Sequence, residues 1–561
     1  MGTSTGKEFK EYFENKKMVE FQFSGKDSDD AIDMVFNKKR ADDRKDWLKY
    51  YDRDAYLDTS KKSIAYEEFI NRELIHFSKY DCDRSIPNLM DGLKISQRKI
   101  MFSAFKRNLT AEIKVAQFSG YVSEHSGYHH GEASLNAAIV GMAQNFVGSN
   151  NINLFVPNGQ FGTRLQGGKD SASERYIFTL LNKITRTIFP AEDGPILEYL
   201  NDDGLSVEPV YYAPIIPMIL VNGSKGIGTG FSTDIMCYNP LQIIEYLENK
   251  LRKIEDDETM KFVPYYEGFK GTITALGGDN TKFLIRGVYE KVGPDKIRVL
   301  ELPVGYWTED FKEKLEELAS PGEDKDKNKI PAIIKDYEDM SKDTNVDFTI
   351  TFVKGKLEEL EKAKSDYGCN GLEKLLKLYS TGSTTNMHLF DENDTLQKYD
   401  TVPDIIDSYY GVRLQLYQTR KEYLIAQLER ELILLSNKAK YIKENLDGTI
   451  DLRKKKKDQI IELLKSKEYD IMDDDGEYKY LLKMPMDSVT EENVEKLMNE
   501  CGDKKAELEV IKATTIHKMW LNELAKLREQ YVEYKEERSR QMNGVKKVTK
   551  KVVKKSLVIE G

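Results

Sequence analysis

The stretch PNGQFGTRLQGGKDSASERYIFT, residues 157–179, decides how the fold is interpreted. It closes a longer segment, 147–175, that is rich in glycine and asparagine and has few signals for helices or strands. Before it, residues 133–146 are nearly free of charge and predict a buried helix. A loop this long inside a helical domain is more often functional than idle. We therefore expect a functional site in this part of the chain.

Tyr176, near the end of this stretch, is the candidate nucleophile. A phenol has a pKa near 10 and attacks poorly at neutral pH. Three nearby cations, Arg164, Lys169 and Arg175, would stabilise the phenolate, and a histidine would take its proton. Such a site favours a covalent ester between tyrosine and a phosphate. The alternative is an ordinary structural tyrosine, because the chain has 32 of them.

Histidines cluster just upstream of this loop. Three of the six, His125, His129 and His130, fall within six residues. A core histidine held by Glu132 and a zinc site are both possible interpretations. Zinc needs three or four ligands, and neither cysteine nor aspartate lies nearby in sequence, which disfavours a metal.

Two glycine-rich stretches imitate phosphate-binding loops. Residues 162–170 approach the Walker pattern, but an extra glycine precedes Lys169, and Asp170 stands where a magnesium-binding hydroxyl belongs. A carboxylate there would repel a phosphate, so this is not an ATP site. Residues 223–230 lack the spacing of a dinucleotide loop and predict tight turns with a close backbone approach.

Other patterns extend outward from this region. Residues 28–50 predict one amphipathic helix. Residues 281–302 predict a hairpin turning at Gly293-Pro294-Asp295, and 348–352 predict a further strand, so an α/β domain follows. Apolar residues in 414–435 and again in 520–534 recur every three, four or seven positions. They predict an antiparallel coiled-coil arm, the alternative being a helical hairpin packed on the body.

Composition limits the function classes. The 561 residues carry a formal charge of -10, which argues against a nucleic-acid binder. Residues 81–185, however, hold eleven Lys/Arg against eight Asp/Glu, and a lysine-rich run ends the chain. We find no apolar run of 18 residues, so no membrane-spanning helix is expected. The four scattered cysteines predict an intracellular chain without a disulfide framework.

Five long strings, in order, resemble the DNA breakage–rejoining core of type IIA DNA topoisomerases of the eukaryotic or large-DNA-virus kind. The strings are DRSIPNLMDGLKISQRKIMF from Asp83, KVAQFSGYVSEHSGYHHGEASL from Lys114, AQNFVGSNNINLF from Ala143, the opening stretch, and PIIPMILVNGSKGIGTGFST from Pro214. The resemblance extends over nearly the whole chain and weakens through the coiled coil and the lysine-rich tail.

The resemblance implies roles for the matching residues. Tyr176 matches the nucleophile that holds a 5′-phosphotyrosyl end, Arg175 and Arg84 match arginines that contact the scissile phosphate, and His130 matches a histidine that binds a phosphate oxygen or assists proton transfer. Further DNA contacts are expected from Lys94, Gln97, Arg98, Lys99, His129, Arg164 and Lys169, and Ile227 matches a wedge that intercalates and bends the DNA. No metal ligand is assigned to the chain.

The resemblance also implies a multidomain fold, mainly α with α+β parts. The expected units are the tail of a Toprim module (1–25), a linker helix (26–63), a winged-helix DNA-gate domain (64–200), an α/β tower domain (201–402), an outgoing coiled-coil arm (403–449), a small dimerisation gate (450–505), a returning arm (506–541) and a basic tail (542–561). The ATPase module and most of the Toprim module are not recognised. We therefore expect the product of a split gene, an incomplete gene product or an excised piece.

These expectations amount to double-strand passage by a homodimer acting on duplex DNA in the nucleus, or in a viral replication compartment in host cytoplasm. Magnesium and ATP would be bound outside this chain, by the ATPase/Toprim portion in cis or as a separate polypeptide. The alternative function is a non-catalytic dimeric clamp that bends DNA, or an inactive fragment.

Overall fold

The computed structural model describes residues 4–16, 18–253, 260–278, 280–323, 329–452, 455–472 and 477–542. The helices are α1 (Gly6–Glu14), α2 (Lys26–Phe36), α3 (Ala41–Lys49), α4 (Tyr66–Phe69), α5 (Ile75–Ser85), α6 (Ile95–Lys106), α7 (Val115–Ser126), α8 (Glu132–Ala143), α9 (Thr185–Ile188), α10 (Met218–Asn222), α11 (Pro240–Leu251), α12 (Thr308–Ala319), α13 (Lys356–Lys362), α14 (Gly371–Leu375), α15 (Val402–Leu446), α16 (Lys457–Ser466), α17 (Lys479–Leu482), α18 (Glu491–Ala513) and α19 (Ile516–Met542). A π-helical turn, Ile70–Leu74, joins α4 to α5, and a 3-10 turn spans Ala191–Ile196.

The strands are short and form small sheets. They are β1 (Glu20–Gln22), β2 (Ser63–Ala65), β3 (Ile113–Lys114), β4 (Phe178–Thr179), β5 (Tyr199–Asp202), β6 (Leu205–Pro209), β7 (Ser224–Ile227), β8 (Ser232–Ile235), β9 (Thr272–Leu276), β10 (Lys282–Arg286), β11 (Val288–Gly293), β12 (Lys296–Glu301), β13 (Gly322–Glu323), β14 (Lys329–Ile330), β15 (Ile334–Asp339), β16 (Phe348–Phe352), β17 (Tyr379–Ser383), β18 (Met387–Phe390) and β19 (Leu396–Tyr399). The larger sheets have the orders β17-β10-β9 and β11-β12-β16-β15.

Two large apolar cores organise the body. The first collects buried side chains from 89–262, 387–417 and 520–531, and includes all the buried apolar residues of α8. The second lies within 297–378, under the four-stranded sheet. The first core runs across the domain boundary expected at residue 200, because α10 and α11 bury their apolar faces in it rather than in the second core.

The hairpin expected over 281–302 is partly wrong. Strand β16 forms as predicted, and β11 and β12 pair antiparallel around the predicted turn. Strand β10 instead pairs with β9 and β17 in a different sheet. The chain changes sheets at Gly287, where an added Cβ would lie 2.3 Å from the carbonyl oxygen of Glu301, so only glycine fits.

The single helix expected over 28–50, and with it a linker helix over 26–63, is also wrong. The segment forms α2, a 3-10 turn and α3. The Asn37 side chain accepts a hydrogen bond from the backbone N–H of Lys39, which caps the turn. Arg44 donates to the carbonyls of Met34, Val35 and Asn37 and so satisfies the carbonyl groups left open where α2 ends.

A long arm leaves the body, with α18 packed antiparallel along α15. Ion pairs Lys512–Glu429 at 2.7 Å and Lys504–Glu431 at 3.1 Å join the two helices. The returning helix therefore begins at Glu491, inside the segment assigned to the small unit at 450–505. The unit at the tip has its own core of Ile450, Leu464, Tyr469, Tyr478 and Leu481, covered by Tyr441 of α15.

Helix α19 does not belong to the arm, which corrects the interpretation of 520–534. Trp520, Leu524, Leu527 and Tyr531 are fully buried in the first core. The indole N–H of Trp520 donates to the carbonyl of Ile215 at 2.9 Å. The spacing predicted an apolar stripe correctly, but the stripe packs on the body, because aromatic side chains as large as these fill a broad interface rather than a narrow seam.

Where the arm meets the body, four charged side chains are gathered in the interior. Arg413 and Arg420 of α15 both bind Asp193 in the turn Ala191–Ile196, at 2.8 and 3.3 Å. Arg420 also pairs with Glu523 of α19. This charge cluster ties the base of the arm to the body.

No helix in the described part of the chain has the length and apolar character needed to cross a bilayer. The basic tail expected over 542–561 lies outside the described residues, apart from Met542 at the end of α19.

Candidate active site

The loop that carries Tyr176 is fixed by backbone hydrogen bonds on both sides. The N–H of Ala116 donates to the carbonyl of Glu174 at 3.1 Å, and the N–H of Val115 donates to that of Ile177 at 3.0 Å. The Tyr176 side chain is nevertheless 76 % exposed. An ordered backbone thus presents a free phenol to the solvent, which is what a nucleophile aimed at a large substrate requires.

Asp170, which the Walker comparison could not explain, closes the preceding turn. Its carboxylate accepts from the N–H of Thr163 at 2.8 Å and from the Thr163 hydroxyl at 2.6 Å. The N–H of Gly168 donates to the carbonyl of Thr163 at 2.9 Å. The glycines of this loop therefore serve a compact turn, in agreement with the rejection of an ATP site.

Two cations lie beside Tyr176. Arg175 and Lys169 are exposed and line one cavity of about 550 Å³, together with Glu132 and Glu174. Both are free to meet a phosphate, and in the described part of the chain neither has an ion pair with a carboxylate. Glu132 begins α8 and does not hold a histidine, so the core-histidine interpretation does not apply.

His130 and Arg84 form a second group with a partner that the sequence did not reveal, Tyr80. The Tyr80 hydroxyl lies 2.6 Å from Nε2 of His130, and the Arg84 guanidinium lies 5.7 Å from the centre of the Tyr80 ring. Partial burial, followed by the positive charges of Arg84 and His129, lowers the pKa of His130. His130 is therefore neutral at pH 7 and can accept or donate a proton.

The two groups are separate in the structure. No hydrogen bond, ion pair or ring contact among the described residues joins Tyr176 or Arg175 to His130 or Arg84. His129 is exposed, and its ring lies 4.7 Å from that of His130. The sequence signal for Tyr80 is its spacing from Arg84, one turn apart on α5, which places both side chains on one face.

The helix expected to contact DNA, α6, keeps only part of its predicted role. Lys94 and Gln97 lie at its start, where the Gln97 side chain accepts from the N–H of Lys94 at 3.0 Å. Burial lowers the pKa of Lys94, whose ammonium donates to the carbonyl of Lys225 at 2.7 Å. Both side chains remain partly exposed.

Arg98, Lys99 and Arg164 are wrongly predicted as DNA contacts. Arg98 is buried and forms two hydrogen bonds, at 2.7 and 3.1 Å, to the buried carboxylate of Asp91. Lys99 is mostly buried and pairs with Glu208 at 2.8 Å. Arg164 is buried against Glu301. A buried cation needs a counter-charge, and here each has found an internal one.

Ile227 ends β7 in the hairpin with β8, and its side chain is 85 % exposed. Glycines press this hairpin onto α5, as the pattern predicted. A Cβ at Gly226 would lie 1.9 Å from the carbonyl oxygen of Ser85, and one at Gly228 would lie 3.0 Å from Cα of Cys82. The hairpin therefore holds an apolar side chain outward beside the Arg84 end of α5.

Comparison with known proteins follows from this geometry. The sequence model of a family described as the A-type polypeptide of DNA gyrase/topoisomerase IV matches residues 84–525. The chain belongs to the type IIA DNA topoisomerase family. Residues 1–82 match a second model, the C-terminal associated domain of TOPRIM. That match covers the whole N-terminal region, including the part expected to be a linker.

Solved and curated topoisomerases agree. The crystal structure of the Plasmodium falciparum topoisomerase II DNA-binding, cleavage and re-ligation domain is 42 % identical, with a TM-score of 0.83 over 98 % of this chain and 75 % of that one. DNA topoisomerase 2 of Plasmodium falciparum is 43 % identical over 94 % of this chain and 39 % of its own length. Human DNA topoisomerase 2-alpha is 39 % identical over 97 % of this chain and 38 % of its own. This chain thus spans about two fifths of these relatives.

The magnesium expected for a topoisomerase does not fit the residues at hand. Within the described ranges, no group of three or more His, Cys, Asp or Glu side chains is arranged to hold a metal ion. No chemical step is therefore assigned to a metal bound by this chain.

Proposed function

We propose that this chain is the part of a type II topoisomerase that breaks and rejoins duplex DNA, with Tyr176 as the nucleophile. The observation that supports this most directly is the exposed phenol of Tyr176 on a loop whose backbone is fixed on both sides. Arg175 and Lys169 stand beside it without carboxylate partners among the described residues. A phosphodiester supplies the charge that these cations lack.

The proposed step is a transesterification. The Tyr176 oxygen attacks the phosphorus of a DNA phosphodiester, and a tyrosine–phosphate bond forms to the 5′ side. The bond from phosphorus to the 3′ oxygen breaks, the phenol loses its proton to a base, and the departing 3′ oxygen takes up a proton. One ester replaces another, so the reverse attack by the 3′-hydroxyl reseals the strand without ATP.

The other predicted residues have supporting roles. Arg175 and Arg84 stabilise the charge that develops on the phosphate oxygens, and neutral His130 binds a phosphate oxygen or moves the proton. Lys94, Gln97, His129 and Lys169 bind the DNA backbone. Since the Tyr176 and His130 groups lack direct contact, the DNA itself brings their charges to bear on one phosphate.

Bending of the DNA is assigned to Ile227. An apolar side chain that projects from a rigid hairpin separates two base pairs, and the lost stacking is replaced by contact with the wedge. A bent duplex then follows the protein surface towards Tyr176.

The assembly around this core is also proposed. Two copies form a homodimer, in part through the unit at the tip of the arm, so that two Tyr176 residues cut both strands and a second duplex passes between them. Winged-helix and tower domains are assigned to the first and second cores. The Toprim portion supplies the magnesium ligands and the ATPase portion uses ATP to drive the cycle. We assign the enzyme to the nucleus, with a viral replication compartment in host cytoplasm as the alternative; a Dictyostelium discoideum relative carries the name mitochondrial.

Covalent trapping of DNA tests this proposal. The chain is combined with Toprim and ATPase portions and magnesium, then denatured in the presence of end-labelled duplex. We expect label to remain on the wild-type protein and to be lost with Tyr176→Phe, which removes one oxygen. Tyr50→Phe, at another exposed tyrosine, is the control and keeps the adduct.

An adduct that survives in Tyr176→Phe would mean that a different residue is the nucleophile. Absence of any adduct, with DNA still bound and bent, would favour the alternative function of a non-catalytic DNA-bending clamp.

A further inference from the structure

The buried pair Arg164–Glu301 joins the Tyr176 loop to the second core. Glu301 ends β12 and is fully buried, and Arg164 approaches it with both terminal nitrogens. The Glu301 carboxylate also accepts from the backbone N–H groups of Leu302 at 3.0 Å and Lys270 at 3.2 Å. Its charge is thus fully used inside the protein, and none of it is available to DNA.

The next contacts lie at the start of α12. The first N–H groups of a helix have no partner within the helix, and Trp307, which precedes it, provides no side-chain cap. The N–H of Glu309 donates to the carbonyl of Leu165 at 3.0 Å, and that of Thr308 donates to the carbonyl of Arg164 at 3.4 Å. The Gln166 amide donates to the Glu309 carboxylate at 2.8 Å.

The Trp307 ring closes the interface. Gly167 has φ +63°, and a Cβ there would lie 2.2 Å from the indole, so no other residue leaves room for the ring. Phe146 meets the same indole edge to face, with ring centres 5.7 Å apart. We call residues 301–309 the brace, since Glu301, Trp307 and the start of α12 all contact the turn 163–168.

The turn transmits this constraint toward the nucleophile. Asp170 fastens the end of the turn to Thr163, and the N–H of Ala172 then donates to the carbonyl of Gln160 at 2.9 Å. Four residues later comes Tyr176. A shift of the brace therefore moves the segment 170–176, because no contact-free stretch separates the two.

We propose that the brace positions Tyr176, with Arg164 and Glu301 as positioning residues, so that the placement of the second core sets the rate of cleavage. This inference rests on the proposed role of Tyr176 as the nucleophile. A misplacement of about 1 Å between reacting groups lowers a rate about 10²-fold. Neither residue touches the DNA, so affinity for DNA is expected to stay unchanged.

The test is Glu301→Gln, which keeps the size of the side chain and removes its charge. We expect the rate of covalent adduct formation to fall about 10²-fold, while affinity for the same duplex changes less than about twofold. Hydrogen exchange at the amides of 163–176 becomes faster. Arg164→Gln gives the same result, and the double variant loses no more than either single change, because both act through one contact.

Arg298→Gln is the matched control. Arg298 lies on the same strand as Glu301 and pairs with Asp347 at 2.7 Å, away from the loop. It should alter the stability of the second core but neither cleavage nor exchange in 163–176. An equal effect of this control, or an equal loss of DNA affinity and cleavage in Glu301→Gln, would overturn the inference.

A wild-type protein that forms no adduct would refute the proposed function instead. Exchange at 163–176 is measured without DNA, so it still decides whether the brace orders the loop. Unchanged exchange in Glu301→Gln would overturn the inference on its own.

Discussion

Truncation of Ile227 separates a DNA wedge from a structural side chain. Ile227 is 85 % exposed, so about 15 % of its surface is buried in the folded chain. Full burial of such a side chain is worth about 1.5–3 kcal/mol, and Ile227→Ala should thus cost about 0.2–0.5 kcal/mol of stability. The corresponding change in melting temperature is about 1–2 °C at most.

The effect on bending should be far larger. Alanine lacks three carbon atoms that would lie between base pairs, and at about 0.8 kcal/mol per carbon the loss is about 2.4 kcal/mol, or roughly 50-fold in the bending equilibrium. Energy transfer between dyes at the two ends of a duplex measures the bend, and adduct formation should fall with it.

Two substitutions calibrate this result. Val292→Ala removes a half-exposed side chain from the β11–β12 hairpin and should change neither bending nor stability. Ile235→Ala, buried at the base of the Ile227 hairpin, should cost about 2–5 kcal/mol. Normal bending by Ile227→Ala, or a large fall in its melting temperature, would refute the wedge.

Four further predictions follow from the contacts described. Arg175→Ala and Arg84→Ala should each slow adduct formation about 10²-fold with little change in DNA affinity, measured on one duplex; equal losses would make them ordinary backbone contacts. Burial and the charge of Lys45 lower the pKa of His388, so stability should be complete above the ordinary value of about 6.5 and fall as the pH drops below it; urea unfolding should show this slope lost in His388→Gln. Asp193→Asn leaves two buried guanidinium groups without their shared partner and should lower stability by about 3–5 kcal/mol, read from Trp520 fluorescence in denaturant. The whole chain should sediment as a dimer at micromolar concentration, and a concentration-independent monomer would exclude the gate at the arm's tip.

The sequence was most informative where local pattern determines structure. Helix α8, the loop 147–175 and strand β16 were all predictable, because an uncharged run, a glycine-rich run and a short apolar run each specify their own conformation. The exposure of Ile227 was also foreseeable, since a glycine-dense loop offers an apolar side chain little core to join.

Partners distant in sequence were not predictable. Arg164 and Glu301 are 137 residues apart, and nothing in the motif around Arg164 distinguishes a buried ion pair from a DNA contact. The same holds for Lys99 with Glu208, 109 residues away. Arg98 offered a better signal, because Asp91 lies only seven residues before it. A cation in a DNA-binding motif identifies the need for an anion but not which anion meets it.

The position of α19 has a consequence for how the protein is made. Arg538 donates to the carbonyl of Asn151, 387 residues earlier, and the Trp520 indole to that of Ile215, 305 residues earlier. A ribosome adds about 5–20 residues per second, so roughly 20–80 s pass between synthesis of the two ends of the longer contact. During that interval the apolar surface that α19 will cover stays open to other chains. Chaperone dependence in the cell is therefore expected to be set by the last helix of the body rather than by its first.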